Sequence, residues 1–427
     1  MWAAAQLCRC AYPLRPAVSS RIFVPGPRNS ITRQLVTPVR SGYSNKTGLL
    51  NSVRGFRIRE VIKSNGVIAR LCSSAPKQNT PKVVGYWLLG CSGMVFTAVV
   101  LGGVTRLTES GLSMVTWRLL GESLPSSEEQ WQLEFQKYQQ YPEYKYKNQN
   151  ITLSEFKWIW WMEYAHRTWG RAVGAAVFLP AAYFWARGRL GAGMKPRVAA
   201  YCALVAAQGL MGWYMVRSGL EDRFSGPSDV PRVSQYRLAA HLSLAFVLYA
   251  GLLGGALRVL RPGPARSPVA LGALPRLAHG LMAMAFLTAV SGAFVAGLDA
   301  GLVYNSFPKM GEHWVPPDAL QLAPALRNFT ENPTTVQLDH RVLGTATLAL
   351  ASALWLRARA APLPPAARRL ARAVGAMAWL QVGLGIATLL HYVPTPLAAT
   401  HQSGSLVLLS LAVWLTHELK LLKYIPK

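Results

Sequence analysis

Eight apolar runs divide this chain, and each is long enough to cross a membrane as a helix. A helix needs roughly 17 to 25 residues to span about 30 Å of hydrocarbon. Several runs of this length are not typical of soluble domains, so they predict an all-α integral membrane protein with eight transmembrane helices. The runs lie at about residues 84–105, 158–186, 198–216, 238–257, 277–297, 336–356, 373–391 and 398–416.

The loops between these runs alternate in charge. Those after the second, fourth and sixth runs are basic and contain no acid, whereas those after the first, third and fifth runs contain both signs. By the positive-inside rule, the basic loops and both termini face the side from which the chain is inserted. The basic residues are Arg187, Arg189, Lys195, Arg197, Arg258, Arg261, Arg266, Arg276, Arg357, Arg359, Arg368, Arg369 and Arg372.

The first 80 residues have the composition of a targeting segment. Fourteen Arg and Lys residues lie between Arg9 and Lys82, against the single acid Glu60. The segment is also rich in Ser and Pro and lacks an apolar core of signal-peptide length, which indicates a mitochondrial transit peptide and disordered N-terminus at 1–80. Both termini would then face the matrix, with the spans in the inner membrane. The remaining basic residues are spread between apolar runs rather than gathered in one patch, which argues against nucleic-acid binding.

The chain repeats itself internally, most clearly around four histidines in apolar runs. His166 and His340 occupy similar sequences, as do His241 and His401. The match extends to the first run of each half, where Gly102, Glu109, Gly111, Leu112, Gly121 and Glu122 correspond, 190 residues later, to Gly292, Asp299, Gly301, Leu302, Gly311 and Glu312.

Each half contains four spans, an even number, so the two halves enter the membrane in the same direction. We therefore predict two tandem four-helix bundles related by a pseudo-twofold axis along the membrane normal. The N-terminal half covers residues 81–260 and the C-terminal half residues 270–420.

In each half, one histidine comes from the second span and one from the fourth, on the side of the acidic loops. Two imidazoles on facing helices suit a haem with an axial ligand on each face. Zinc or copper is the alternative, but such a site needs three or four converging ligands. A transporter is a further alternative, although its site would lie at the midplane. Glycines near the histidines would let a macrocycle approach the backbone: Gly170, Gly174, Gly209, Gly212, Gly344, Gly383 and Gly385.

The two halves differ three residues before the first histidine, where Glu163 corresponds to Gln337. Residues three apart share a helix face, so a carboxylate able to exchange a proton would lie beside His166 only. This predicts that the N-terminal half performs chemistry, with Glu163, His166 and His241 as catalytic residues. The alternative is that Glu163 forms a structural ion pair with Arg167.

Arg167 and Arg341 each follow a histidine directly and are candidates to bind haem propionates, or else are interfacial arginines. Arg106 and Glu109, at the end of the first span, are candidates to close the N-terminal pocket. The loop at about 106–157, called the first outer loop below, is long enough to cover that pocket. Its aromatic residues fit either this role or a belt at the membrane surface.

Together these motifs resemble the haem A synthase family over nearly everything after residue 80. The resemblance is carried by EYAHR at Glu163–Arg167, RLAAH at Arg237–His241, GLDAGLVYNSFP at Gly297–Pro308, DHR at Asp339–Arg341 and PTPLAATHQ at Pro394–Gln402. It implies an oxidoreductase of cytochrome c oxidase assembly that oxidises the C8 methyl of haem O to the formyl of haem A by successive hydroxylations. Bacterial relatives often carry a cysteine pair in the first outer loop, which this chain lacks.

The resemblance also implies ligands and partners. His340 and His401 would hold a prosthetic haem b, and His166 and His241 the substrate haem. Haem O would be delivered by haem O synthase, and electrons would come from a matrix ferredoxin and its reductase. Both haem sites lie toward the outer side, and the sequence does not define how electrons reach them from the matrix. It does not define whether the protein forms a homo-oligomer either. The alternative function is a non-enzymatic di-haem b-type electron carrier.

Overall fold

The computed structural model describes residues 80–221, 231–262, 266–269 and 271–424. Apart from Thr80, the predicted transit peptide lies outside the described residues. Eight long helices dominate the remainder: α1 (Lys82–Leu107), α4 (Leu153–Ala186), α5 (Lys195–Leu220), α6 (Gln235–Leu260), α7 (Leu274–Gly297), α9 (Pro333–Ala360), α10 (Pro365–Leu390) and α11 (Thr395–Lys420). Shorter helices are α2 (Glu128–Gln139), α3 (Pro142–Tyr146) and α8 (Asn328–Glu331).

Every predicted span lies on one of these helices, and the sequence explains where two of them begin. At the start of α4, Thr152 and Glu155 form a capping box, in which each side chain bonds the other residue's backbone N–H. At the start of α9, the Asn332 side chain accepts from the backbone N–H groups of Thr334 and Thr335. Both helices therefore begin before their apolar runs, because polar caps set their first residues.

Six of the eight long helices are long and apolar enough to cross a membrane. The two that fall short are α4 and α9, the helices that carry His166 and His340. Each has charged residues close to its histidine, such as Arg167 and Arg341, and these lower its hydropathy. The structure supports a multi-pass helical membrane protein, while the spanning of α4 and α9 stays a prediction.

The long helices form two rings with the same internal order. In the first ring, α1 contacts α4 and α6, and α5 lies between α4 and α6. In the second, α7 contacts α9 and α11, and α10 lies between α9 and α11. The rings meet through α6 against α7 and through α11 against both α1 and α6. Buried apolar side chains fill each ring, and Leu406, Leu409 and Val413 of α11 belong to the core of the first.

The internal repeat is visible in the backbone as well. Glu109 and Asp299, which correspond in the two halves, both adopt left-handed conformations just after α1 and α7, with φ of 53° and 54°. Non-glycine residues seldom adopt this conformation, so the shared value marks the same tight exit from the first helix of each ring. Far from these exits, the segments Arg266–Val269 (β1) and Leu422–Tyr424 (β2) pair in parallel.

Candidate functional site

All four repeated histidines line one cavity of about 1520 Å³, to which every long helix contributes. This volume exceeds the roughly 300 to 1,000 Å³ of an ordinary small-molecule pocket. His166 lies on α4, His241 on α6, His340 on α9 and His401 on α11, and each is partly buried. The structure therefore brings together all four predicted ligands, two from each ring.

The pair in the C-terminal half has the spacing of two ligands on one metal. The ring centres of His340 and His401 are 6.3 Å apart, and the ring planes are nearly perpendicular at 87°. Two imidazole nitrogens that each lie about 2 Å from one metal, on opposite sides, put the ring centres roughly 6 Å apart. The residues present therefore fit a bis-histidine haem. His166 and His241 line the same cavity.

Each histidine ring rests against a glycine of a neighbouring helix. A Cβ added at any of these glycines would lie within about 3.4 Å of the ring atom Cε1, a distance that real side chains rarely show. The distances are 2.9 Å for Gly102 to His166, 3.4 Å for Gly212 to His241, 3.2 Å for Gly292 to His340 and 2.8 Å for Gly385 to His401. Two of the glycines expected to let a macrocycle approach the backbone, Gly212 and Gly385, thus make room for a histidine ring instead.

Glu163 is buried and fully hydrogen-bonded at the edge of the cavity. Its Oε2 accepts from Ser113 Oγ at 2.8 Å and from the backbone N of Met114 at 2.7 Å. Its Oε1 accepts from Arg167 at 2.6 Å. The ion pair weighed as an alternative is therefore present, and the carboxylate also ties α4 to the first outer loop.

Gln337 takes the same place in the second ring, but it donates to the outer loop where Glu163 accepts from it. Its Nε2 donates to the carbonyls of Ala300 and Tyr304, at 2.7 and 3.2 Å. Its Oε1 accepts from Arg341 at 2.9 Å. Tyr304 corresponds to Met114 in the repeat, so the same loop position donates to the glutamate in one half and accepts from the glutamine in the other.

The two arginines predicted to bind propionates bind loop carbonyls. Arg167 donates to the carbonyls of Met114 and Thr116, at 2.8 and 2.7 Å. Arg341 donates to the carbonyls at the corresponding positions, Tyr304 and Ser306. In both arginines the Nε atom is buried without a hydrogen-bond partner. Each side chain still lines the cavity, so a role toward propionates stays a prediction beside this structural one.

Arg106 and Glu109, predicted to close the N-terminal pocket, form ion pairs with different parts of the protein. Arg106 pairs with Asp299 of the other half at 2.8 Å, rather than with Glu109. Glu109 pairs with Lys147 of the first outer loop at 2.5 Å. All four side chains line the cavity. The ion pair between the halves was not expected from the sequence.

The first outer loop folds over the start of α4 and buries part of its aromatic residues. Trp131 and Tyr138 pack in a core with Phe156 and Trp160, which excludes the membrane-belt interpretation for these two. Trp117 instead lines the cavity and lies 4.9 Å from the Arg167 guanidinium. The loop therefore reaches the N-terminal site through Trp117, while α2 packs against the start of α4.

Sequence reasoning missed one buried carboxyl in this loop. Glu143 lines the cavity, and its Oε2 accepts from the Tyr138 hydroxyl at 3.1 Å. Burial raises the pKa of Glu143 to about 8, and the nearby negative charge of Glu163 acts in the same direction. No motif marks this residue, because its burial depends on how the loop folds back.

The alternative metal site has no support in the described part of the chain. There, no group of three or more His, Cys, Asp or Glu side chains could hold a metal ion. Zinc and copper sites usually need that many converging ligands. His391, whose role the sequence left open, is exposed where α10 ends.

Comparisons with known proteins identify the family of this chain. The family model described as cytochrome oxidase assembly protein (COX15-CtaA) matches residues 85–413. "Heme A synthase COX15" of Bos taurus is 59% identical over 349 residues, which cover 81% of this chain and 84% of the relative. The protein of the same name in Homo sapiens is 59% identical over 350 residues, 81% and 85% of the two chains. That of Saccharomyces cerevisiae is 39% identical over 408 residues, 88% and 84%.

Proposed function

Because the chain belongs to the COX15-CtaA family of cytochrome oxidase assembly proteins, we infer that it is a haem A synthase. It is an oxidoreductase that converts the C8 methyl group of haem O to the formyl group of haem A. The observation that carries this function is the single cavity lined by four histidines from both rings. Such a cavity would hold a haem to be modified and a haem that transfers electrons in one enclosure.

We propose a division of labour between the rings. His340 and His401 would hold a prosthetic haem b, and the 6.3 Å between their ring centres supports this assignment. His166 and His241 would hold the substrate haem. In support, Glu163 is an acid beside the N-terminal pair, whereas Gln337 at the same place cannot exchange a proton.

When bound, the haems supply the redox chemistry of iron, and the protein supplies position and proton handling. Glu163 is held at the cavity edge by Ser113, Met114 and Arg167. We propose that its carboxylate takes and returns a proton during oxidation of the methyl group. The first outer loop, tied down by the same contacts, would exclude bulk water from the N-terminal site.

We propose that both rings cross the inner mitochondrial membrane as tandem four-helix bundles, related by a pseudo-twofold axis along the membrane normal. Support comes from the equal order of contacts in the two rings and from the alternating loop charges. Both termini would face the matrix. Haem O synthase as donor of the substrate, and ferredoxin with its reductase as electron donors, are further proposals by family resemblance.

The test is a pigment analysis of the purified membrane protein. After expression in cells that make haem O, the extracted haems are separated by chromatography. The enzyme should yield haem b together with haem O or haem A. Haem b alone, in a fully loaded protein, would support a di-haem electron carrier instead. Replacing His340 or His166 by Ala in turn should remove different haems, and equal losses would contradict the division of labour.

A further inference from the structure

The four histidines differ in what their second ring nitrogen contacts. A histidine that binds iron through Nε2 must carry its proton on Nδ1, and a partner for that proton fixes the tautomer and the ring orientation. Such a partner also makes the ring a stronger ligand. The contacts of Nδ1 therefore show which histidines are prepared to hold a metal permanently.

In the C-terminal half, the Nδ1 of His340 lies 2.8 Å from the hydroxyl of Ser291 on α7. That hydroxyl donates its own proton to the carbonyl of Thr288, also at 2.8 Å. With its hydroxyl proton on that carbonyl, the oxygen is an acceptor for the Nδ1–H of His340 in the tautomer that binds a metal through Nε2. The Nε2 of this ring is then unprotonated and free to bind a metal.

The second ligand of this half has a different neighbour. The amide nitrogen of Gln381 on α10 lies 3.1 Å from the Nδ1 of His401 and donates to the backbone carbonyl of the same histidine at 2.6 Å. An amide N–H cannot accept a proton, so within the C-terminal pair only His340 has an acceptor for its Nδ1–H.

In the N-terminal half, neither ring is held in this way. The Nδ1 atoms of His166 and His241 are buried without a hydrogen-bond partner. The backbone one turn earlier lies near the histidine in both halves, at Ala98 for His166 and at Thr288 for His340, so it does not distinguish them. Gln208, which corresponds to Gln381, donates to the His241 carbonyl at 3.1 Å, and its Oε1 is unpartnered.

The repeat identifies which residue replaces the serine. Gly292 seats His340 and Gly102 seats His166 in the same way. The residue before each glycine is Ser291 in one half and Leu101 in the other. Leucine has no side-chain acceptor, so the N-terminal half lacks the hydrogen bond at the position where the C-terminal half has it.

We propose that Ser291 is a positioning residue that makes the C-terminal half a permanent haem site, and that Leu101 at the equivalent position leaves the N-terminal half able to exchange its haem. This inference rests on the proposed function. It gives a chemical reason why two sites with matched histidines retain their haems differently: a substrate site must release its product, and a prosthetic site must not.

The first test replaces Ser291 by Ala and, as the conservative variant, by Thr. Ser291→Ala should lose haem b to an excess of apomyoglobin at least about 10-fold faster than the wild type. Its haem b midpoint potential should rise, because a less electron-rich imidazole stabilises ferric iron less. Ser291→Thr keeps the hydroxyl and should restore both values. An unchanged rate and potential in Ser291→Ala would overturn the proposal.

The reciprocal test is Leu101→Ser, which offers His166 the missing acceptor. The N-terminal site should then release its haem about 10-fold more slowly, with the haem b potential unchanged. Faster or unchanged release, in a protein with wild-type haem b content, would overturn the proposal.

Failure of the proposed function looks different. If His340→Ala leaves the haem b content of the protein unchanged, the C-terminal half is not the haem b site. If His340→Ala removes haem b but the Ser291 variants match the wild type, only the positioning role fails.

Discussion

The guanidinium of Arg167 donates to the carboxylate of Glu163 over 2.6 Å, and both side chains are buried within one turn of α4. The equivalent contact in the other ring joins Arg341 to the neutral amide of Gln337. In both rings, an arginine and the residue four positions before it hold the outer loop in the same way. Only in the first ring is that residue a carboxylate, Glu163, whose charge a proton can neutralise. The pair is structural in both halves, and we expect only the one with Glu163 to take part in chemistry.

Glu163→Gln should therefore fold and bind haem but lose haem A formation. The amide keeps an acceptor for Arg167, as Gln337 does for Arg341, but no longer accepts from Met114 N. That loss should cost about 1 to 3 kcal/mol of unfolding free energy. Haem extraction should show haem b and haem O without haem A.

Gln337→Glu is the matched control, because it changes the residue that contacts Arg341 at the equivalent position of the half assigned to electron transfer. Its carboxylate would face the carbonyls of Ala300 and Tyr304, which accept from the amide in the wild type, so unfolding free energy should fall by about 1 to 3 kcal/mol. Haem A formation per bound haem b should nevertheless stay within about threefold of the wild type. Full haem A formation in Glu163→Gln would contradict the proton-transfer role, whatever the control shows.

Gly385→Ala should displace His401 and so weaken haem b binding. The added Cβ would lie 2.8 Å from Cε1 of the ring, so the ring must shift away from the position that faces His340. We expect about 10-fold weaker haem b retention, measured by optical titration. Gly383→Ala, two residues away with open space around it, should retain haem b normally.

Gly102→Ala is the corresponding change in the N-terminal half. Its Cβ would lie 2.9 Å from Cε1 of His166, so binding of the substrate haem should weaken while haem b stays in place. Gly93→Ala on the same helix meets nothing within 4 Å and serves as the control. Loss of haem b in Gly102→Ala would show that the two sites are not separable in this way.

Gly103→Ala should destabilise the contact between the rings. The Gln402 side chain occupies the space where the Cβ would lie, and it donates to the backbone carbonyl of Val99 on α1 at 3.0 Å. Overpacking of this kind costs about 1 to 3 kcal/mol, visible as a lower thermal midpoint in detergent. The double variant with Gln402→Ala should recover part of the loss, and additive effects would show that the two residues do not interact.

The stability of the first outer loop should fall between about pH 5 and pH 8. The pKa of Glu143 is raised to about 8 in the fold by burial, above an unfolded value of about 4.3. The folded state therefore binds more protons in this window, and the associated stability, complete below the window, is lost as the pH rises through 8.

Hydrogen exchange across α2 and α3, measured at several pH values, checks this dependence. Glu143→Gln can still accept from Tyr138 and should make the loop's protection independent of pH in the window. Glu134→Gln, which removes a surface partner of Lys137, should leave the wild-type dependence unchanged. The same slope in wild type and Glu143→Gln would exclude Glu143 as its source.

Much of the fold could be predicted from the sequence because the length of each apolar run gives the length and position of a membrane helix. The match of Gly102 with Gly292 showed that the first helix of each half is equivalent. In the structure, each of these glycines lies against a histidine ring. The assignment of one histidine pair to each half also followed from the repeat, whereas the single cavity that all four histidines line was not predicted. These features depend on local pattern and on symmetry, which are visible in one sequence.

Contacts made by the outer loops could not be predicted. The bond from Met114 N to Glu163 and the burial of Glu143 depend on how irregular segments fold back, and no periodicity describes that path. The pairing of Arg106 with Asp299 depends on how the two rings meet. The difference between Ser291 and Leu101 is plain in the sequence, but its meaning requires the position of the His340 ring.

The packing of α11 has a consequence for how the protein is made. This helix contacts α1 through Gln402 and α6 through Ser410, whose hydroxyl lies 2.6 Å from that of Tyr249. It follows the other seven long helices in the chain, so it emerges from the ribosome after both rings have received their other members. Neither ring completes its core before α11 is inserted, and a nascent chain that stops short of it leaves unfinished the half that was synthesised first.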